Sequence, residues 1–171
     1  ASPFNLSLGL TVFFLSRMLG GLYFINNVDH EGLYLRAKKS VLINFLILLP
    51  FLLYFLYSLA TRSGYSVPLN TFVPSKYLQN LLELHIFGIG FLLLGVVLIL
   101  AAVLSTCLST NLGYSFHLKK RGIWLGGLGT VLFSLSLFFT AGYKQSAYYP
   151  SISHPSSSLT IYNSSSSLFT L

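Results

Sequence analysis

Apolar residues along the chain come in four long runs divided by shorter polar connections, and none of the runs alternates with a period of two. The runs cover about Phe4 to Asn27, Val41 to Ala60, Leu78 to Cys107 and Ile123 to Gly142. Each matches the roughly 20 residues a helix needs to cross a hydrocarbon core ~30 Å thick. Backbone groups in lipid find partners only inside a helix or a closed barrel, and barrel strands would show alternation. The pattern predicts an all-α integral membrane protein. Short links between four transmembrane helices make consecutive ones antiparallel neighbours in one bundle, residues 1–142. From Tyr143 to Leu171 the chain turns polar, with Pro150, Pro155 and many serines, and reads as a Ser-rich external tail. Inside that tail Ser164 to Ser167 precede Leu168, Phe169 and Leu171, the order of a serine cap ahead of apolar positions. The tail is thus expected to lead into a last helix missing from this sequence.

Glycine falls where helices are expected to touch: Gly20 and Gly21 in the first run, Gly88, Gly90 and Gly95 in the third, and Gly122, Gly126, Gly127 and Gly129 in the fourth. No hydrophobic effect draws helices together inside lipid, so small residues that admit close backbone approach do that work. Gly122 to Gly126 has the GxxxG spacing. Pro50 removes a backbone donor inside the second run and predicts a kink there. The connection from Thr61 to Asn80 reads as a loop, with turns at Ser63-Gly64 and near Pro68 and Pro74.

Composition agrees with a bilayer as the solvent. Hydrophobic residues make up 54% of the 171 and charged residues 8%, too few ionisable groups to cover a water-soluble fold. The net charge of +7 would suggest nucleic acid in a soluble chain. Here the basic residues lie beside the runs, as membrane insertion places them, and nucleic acid is discarded as a partner. Arg36, Lys38 and Lys39 follow the first run and Lys119, Lys120 and Arg121 precede the fourth, against Arg62 and Lys76 in the second connection and Lys144 in the tail. This bias favours a cytoplasmic first and third loop, with both ends outside. The chain opens Ala-Ser-Pro-Phe, without the basic region of a signal peptide, so the first run reads as a span of a longer protein. The tyrosines Tyr23, Tyr54, Tyr57, Tyr77 and Tyr143 gather at run ends, at headgroup level.

Few residues offer chemistry. Arg17 falls near mid-membrane, where a guanidinium costs at least ~2.5 kcal/mol unless it meets protein, water or an anion. Glu83 is the acid inside another predicted span, and a buried Arg17–Glu83 pair, or an arginine bonded to helix carbonyls, is weighed against a contact to a quinone, a lipid phosphate or a partner's cofactor. A bis-axial haem site needs imidazoles at matched depth on facing helices. Only His85 lies within a predicted span and is expected to be a bonded core histidine; His30, His117 and His154 belong to loops and tail, and Met18 is the single methionine. Cys107, alone, permits no internal disulfide. Asp29, His30 and Glu31 read as a solvated helix terminus. No catalytic, cofactor-binding or metal-ligating residues are assigned. Residues alone leave two readings open: a subunit gripped by a larger neighbour, or a stand-alone small transporter or channel using Arg17 and Glu83.

Three strings carry a resemblance: Ser2 to Asn27, Arg121 to Ser151 and Ser157 to Leu171. Together they resemble the later half of subunit II of the cytochrome bd quinol oxidases, in which a serine-rich external segment leads directly into the final membrane helix. Ser158, Leu159, Thr160, Asn163, Ser165, Ser166, Thr170 and Leu171 carry that segment here, while Val41 to Pro74 is similar only in character. The resemblance implies a non-catalytic membrane subunit of the bacterial cytoplasmic membrane, without the final membrane helix. It would be partner and scaffold of subunit I in a respiratory complex that oxidises quinol and reduces oxygen to water. It places haems b and d in subunit I, none in this chain, and leaves a quinone possible beside lipid as a further contact.

Overall fold

The computed structural model of the chain describes residues 3–28, 30–66, 73–108 and 121–145. Asp29, Pro68, His117, Lys119, Lys120, His154 and the tail beyond Gln145 lie outside the described residues. Helix α1 is Pro3–Asn27 and α2 is Glu31–Ala60. Strands β1 (Ser63–Ser66) and β2 (Val73–Lys76) follow, then α3 (Tyr77–Glu83), a π-helical turn (Ile86–Gly90), α4 (Phe91–Leu108), α5 (Gly122–Gly142) and a closing 3₁₀ turn (Tyr143–Gln145). Four helical segments are long and apolar enough to cross a membrane: Pro3–Asn27, Gly32–Ala60, Ile86–Thr106 and Gly122–Gly142. The protein is a multi-pass, all-α membrane protein, and a small hairpin lies among the described residues.

The chain groups into two compact units, 1–56 with 93–133, and 57–92 with 134–171. In the first, α1 and α2 run antiparallel. Phe4 packs against Phe55, Phe14 stacks on Phe51, and a Cβ at Gly21 would meet the Val41 side chain. The core of this unit joins Met18, Leu22 and Ile25 of α1 to Val41 of α2 and Ile99, Ala102 and Val103 of α4, with Ile123 and Leu125 of α5 against it.

Burial recurs at spacings of three, four and seven, the seam of helices crossing at a shallow angle. In α5 the buried positions are Gly122, Gly126, Gly129, Phe133, Ser136 and Thr140; in α1 they are Ser7, Thr11, Met18, Leu22 and Ile25. Many of these are small or polar, whereas Leu6, Phe13, Leu46, Leu53, Val97 and Trp124 face outward. At most 28% of the most apolar window of any span is buried, so most of each span is left to lipid or to another chain. Several buried polar side chains find their partners one turn back. Those of Thr11, Thr106 and Thr140 donate to the carbonyl four residues earlier, at 2.7, 2.9 and 2.8 Å, and Asn44 donates to the Ser40 carbonyl at 2.7 Å. These four side chains are satisfied along their own helices.

The structure departs from the sequence expectations at three places. α2 starts at Glu31, ten residues before the predicted Val41, because the basic stretch after Gly32 continues the helix into the headgroup region. Pro50 lies inside this helix, as the sequence places it. The connection expected to be a loop contains the hairpin, paired Ser63↔Lys76 to Ser66↔Val73, so Ser63-Gly64 and Pro74 are strand residues and not turns. The Tyr77 amide donates to the Arg62 carbonyl at 3.1 Å. Counting on from that pair, Pro74 falls at a position whose missing N–H points out of the ladder, where proline is tolerated. Finally, the predicted third span is broken: α3 ends at Glu83, and the spanning segment begins at Ile86.

Candidate functional site

In the unit formed by 1–56 and 93–133, α4 and α5 meet backbone to backbone. A Cβ added to Gly95 would lie 2.8 Å from the Gly129 carbonyl oxygen and 2.7 Å from the Phe133 nitrogen; one added to Gly129 would lie 2.8 Å from the Gly95 carbonyl oxygen. The GxxxG pair is also tight. A Cβ added to Gly122 or Gly126 would lie 3.2 or 3.1 Å from the Leu22 side chain of α1, with Thr106 and Ala102 of α4 alongside. Gly20 and Gly127, expected at contacts, have nothing within 4 Å, and Gly90 touches only its own turn. They fall off the three-four seam, which spacing alone could have shown.

The same unit has a small recess, partly open to the outside, walled by Leu15, Phe45, Leu48, Leu52, Ile99 and Phe133. Thr11 also reaches it, but its hydroxyl is already bonded to Ser7. The wall can accept only apolar matter.

Arg17, the fifteenth residue of α1, is exposed, with its guanidinium 5.6 Å from the centre of the Phe13 ring. The expected buried pair and the expected bonding to helix carbonyls are both absent among the described contacts. A cation over a ring gains roughly 0.5–2 kcal/mol, less than or about equal to the cost of mid-membrane placement, so Phe13 alone does not settle this residue.

The unit formed by 57–92 and 134–171 contains the charged edge. Glu83 ends α3, outside the spanning segment, and forms an ion pair with Lys144, just past the end of α5. The bond from Lys144 Nζ to the Glu83 carboxylate, with the Coulomb attraction behind it, raises the Lys144 pKa above its ordinary 10.5. Both groups are substantially exposed, so the pair positions more than it stabilises. A raised lysine pKa contributes fully below the unfolded value, and the contribution is lost as pH climbs through the folded one. Glu83→Gln should return Lys144 to ordinary titration in ¹³C-dimethyl-lysine NMR, with the contribution flat from neutral pH to about 10.5 in the unmodified protein. A Lys144 curve indifferent to the substitution would dissolve the pair.

Next to it, His85 takes φ 41°, ψ −101° and is exposed, not a bonded core histidine. The reason is the break itself, since His85 leaves helical geometry between α3 and the π-turn. That turn is locked from α5. The Ser136 hydroxyl, fully buried, donates to the Gly88 carbonyl at 2.7 Å, and the Tyr77 hydroxyl donates to the Leu137 carbonyl at 3.0 Å. Phe87 meets Phe91 and Phe139 edge-on beside it, and the last two are tilted against each other. A cluster of Gln79, Asn80, Glu83 and His85 in an apolar run was the available signal for this break.

Haem would need inward imidazoles within the spans. Among the described residues His30 precedes α2 and His85 precedes the third span, both exposed, while Met18 is packed in the apolar core. These residues do not fit an axial ligand pair. No group of three or more His, Cys, Asp or Glu that could hold a metal occurs among the described residues. Among the described residues the arrangement offers shape, an apolar outer surface and an exposed cation at Arg17, and apart from the exposed Glu83–Lys144 pair it brings no acid, base or nucleophile together. A family model described as cytochrome bd terminal oxidase subunit II matches residues 1–171. No curated protein and no solved structure matches.

Proposed function

The chain belongs to the subunit II family of the cytochrome bd terminal oxidases, and from that premise we propose that it is the scaffold partner of a haem-bearing subunit I. The family match over the whole chain carries this reading. The complex would oxidise quinol and reduce oxygen to water in the bacterial cytoplasmic membrane, with haems b and d held by subunit I. The excess of basic residues in the first and third connections supports both ends of the chain facing outside. Two structural observations support a scaffold. Every span leaves most of its apolar surface outward, and Arg17 is exposed at a depth where lipid alone would penalise it. An anionic or carbonyl-rich patch on the neighbouring subunit would satisfy it.

The transporter reading loses its intramembrane acid, because Glu83 lies outside the span and is paired by Lys144. Co-expression with subunit I tests the scaffold. The chain should co-purify with the haem absorption of subunit I, and Arg17→Leu should insert normally yet lower recovery of the complex roughly tenfold, the loss of one charge-assisted contact. Undiminished recovery would take Arg17 out of the interface; solute flux through vesicles holding this chain alone would overturn the scaffold itself.

A further inference from the structure

α1 has 25 residues and is about 37 Å long, so a hydrocarbon core of ~30 Å centred on it places Arg17 roughly 12 Å inside the boundary nearer Asn27. A long cationic side chain can escape such a depth by reaching for the headgroups. Arg17 does not. Side chains on a helix lean towards its N-terminus, and the guanidinium lies over Phe13, one turn back along α1 and farther from that boundary. Lipid phosphates and aqueous anions are both out of its reach.

Leu6, Phe13, Arg17, Gly20 and Phe24 are spaced seven, four, three and four residues apart, one continuous side of α1. Leu6, Phe13 and Phe24 are 59, 50 and 60% exposed, and a Cβ at Gly20 would meet nothing within 4 Å. The helix thus presents an uncovered apolar stripe with one cation set in it. Lipid can cover the stripe but leaves the cation uncompensated. A neutral carbonyl would cancel none of its charge in a medium of low dielectric, whereas a carboxylate neutralises it and accepts two parallel N–H bonds from the guanidinium. The sequence holds three acidic residues, Asp29, Glu31 and Glu83. Asp29 and Glu31 come after α1 has ended at Asn27, itself about 15 Å along the axis from Arg17, and Glu83 is taken by Lys144. The counter-charge is then supplied from outside this sequence.

With subunit I as the neighbour, as the scaffold reading has it, we infer that this stripe of α1 is covered by a membrane-spanning helix of subunit I carrying an aspartate or glutamate level with Phe13 and Arg17, which forms a two-bond ion pair with the guanidinium inside the hydrocarbon. The Phe13 ring already holds the guanidinium, so less freedom is lost when the carboxylate arrives. Such a pair is selective more than it is strong. Desolvation offsets much of the attraction, but a neighbouring helix that lacks the acid leaves the cation unpaired and is rejected.

The test uses the complex of this chain co-expressed with subunit I, with Arg17 kept and the photoreactive Phe13→benzoylphenylalanine beside it. Illumination should join the two chains, and the attached segment, mapped by mass spectrometry, should be a spanning one with an acid within one helical turn of the attachment point. Arg17→Glu should then lower recovery of the complex, read as haem absorption per copy of this chain, roughly a hundredfold, because like charges meet. Replacing the mapped acid by lysine in subunit I should bring that variant back to within roughly tenfold of the unmodified complex. Should Arg17→Glu fail to insert, Arg17→Gln takes its place: it should lower recovery roughly tenfold, and adding the amide variant of the mapped acid should cost nothing further. Attachment to lipid, to a second copy of this chain or to a segment without an acid would overturn the ion pair and leave the scaffold standing, as would a reversed pair that restores nothing or losses that simply add. An unmodified chain that does not co-purify with subunit I would instead remove the scaffold, and the ion pair with it.

Discussion

Gly95→Leu should abolish stable folding of the α4–α5 pair, and Gly95→Ala should destabilise it by about 2–3 kcal/mol. The obstacle is backbone on both sides. A Cβ at Gly95 meets the Phe133 nitrogen at 2.7 Å and its Cα at 3.0 Å, along with the Gly129 carbonyl oxygen at 2.8 Å, and none of these can rotate away as a side-chain tip could. The two helices must separate along the seam. Separation also breaks the reciprocal approach of the Gly95 and Gly129 carbonyls to each other's Cα, a contact of roughly 0.5–1 kcal/mol where a C–H meets an oxygen. Gly127→Ala supplies the control. Nothing lies within 4 Å of that position, and alanine is the better helix former by up to about 1 kcal/mol, so this variant should match or exceed the unmodified protein. Thermal unfolding in detergent, followed by tryptophan fluorescence from Trp124 on α5, separates the two. Equal midpoints for Gly95→Ala and Gly127→Ala would show that the seam is not where the coordinates place it.

The second large effect is expected at Gly88. A Cβ there would fall 2.5 Å from the Leu81 carbonyl oxygen and 3.0 Å from the Leu84 Cβ, inside the turn that joins α3 to the span. Gly88→Ala should therefore cost about 2–3 kcal/mol and release the hairpin edge, because the π-turn has no room to widen while Ser136 holds the Gly88 carbonyl. Ser136→Ala is the milder companion. It strands a buried carbonyl at a cost of about 1–2 kcal/mol, nearer the low end if lipid permits the turn to re-pair. Hydrogen exchange of α3 and of Val73 to Lys76 should rise in both, with Gly88→Ala the larger. Unchanged protection there in Gly88→Ala would mean the turn is looser than its geometry implies.

The four spans were legible because length and hydropathy are all that crossing a bilayer requires. Their inner faces were partly legible. Gly95, Gly122, Gly126 and Gly129 line contacts as spacing suggested, whereas Gly20 and Gly127 are adjacent to contact glycines and off the seam. The break before Ile86 was missed, since a hydropathy window averages Gln79, Asn80, Glu83 and His85 into the leucines around them. For the same reason Glu83 was placed in the membrane, and its partner, Lys144, is sixty-one residues away in a segment with no pattern of its own. The hairpin was missed because Ser, Gly and Pro signal turns, and a two-stranded ribbon with an outward-facing proline amide position breaks none of the rules those residues usually enforce. Arg17 was recognised as costly from its position, but only the coordinates show it on the outside of the chain.

The seam of small and hydroxylated residues under a greasy exterior has a thermodynamic corollary. When α4 and α5 part in a bilayer, apolar side chains trade contact with a helix for contact with acyl tails, and water gains almost no new surface to hydrate. The heat-capacity change that bends the stability curve of a water-soluble domain is then largely missing. Cooling loosens no hydrophobic grip in such a joint, and what holds it from the coldest membrane to the warmest is the fit of one backbone against another.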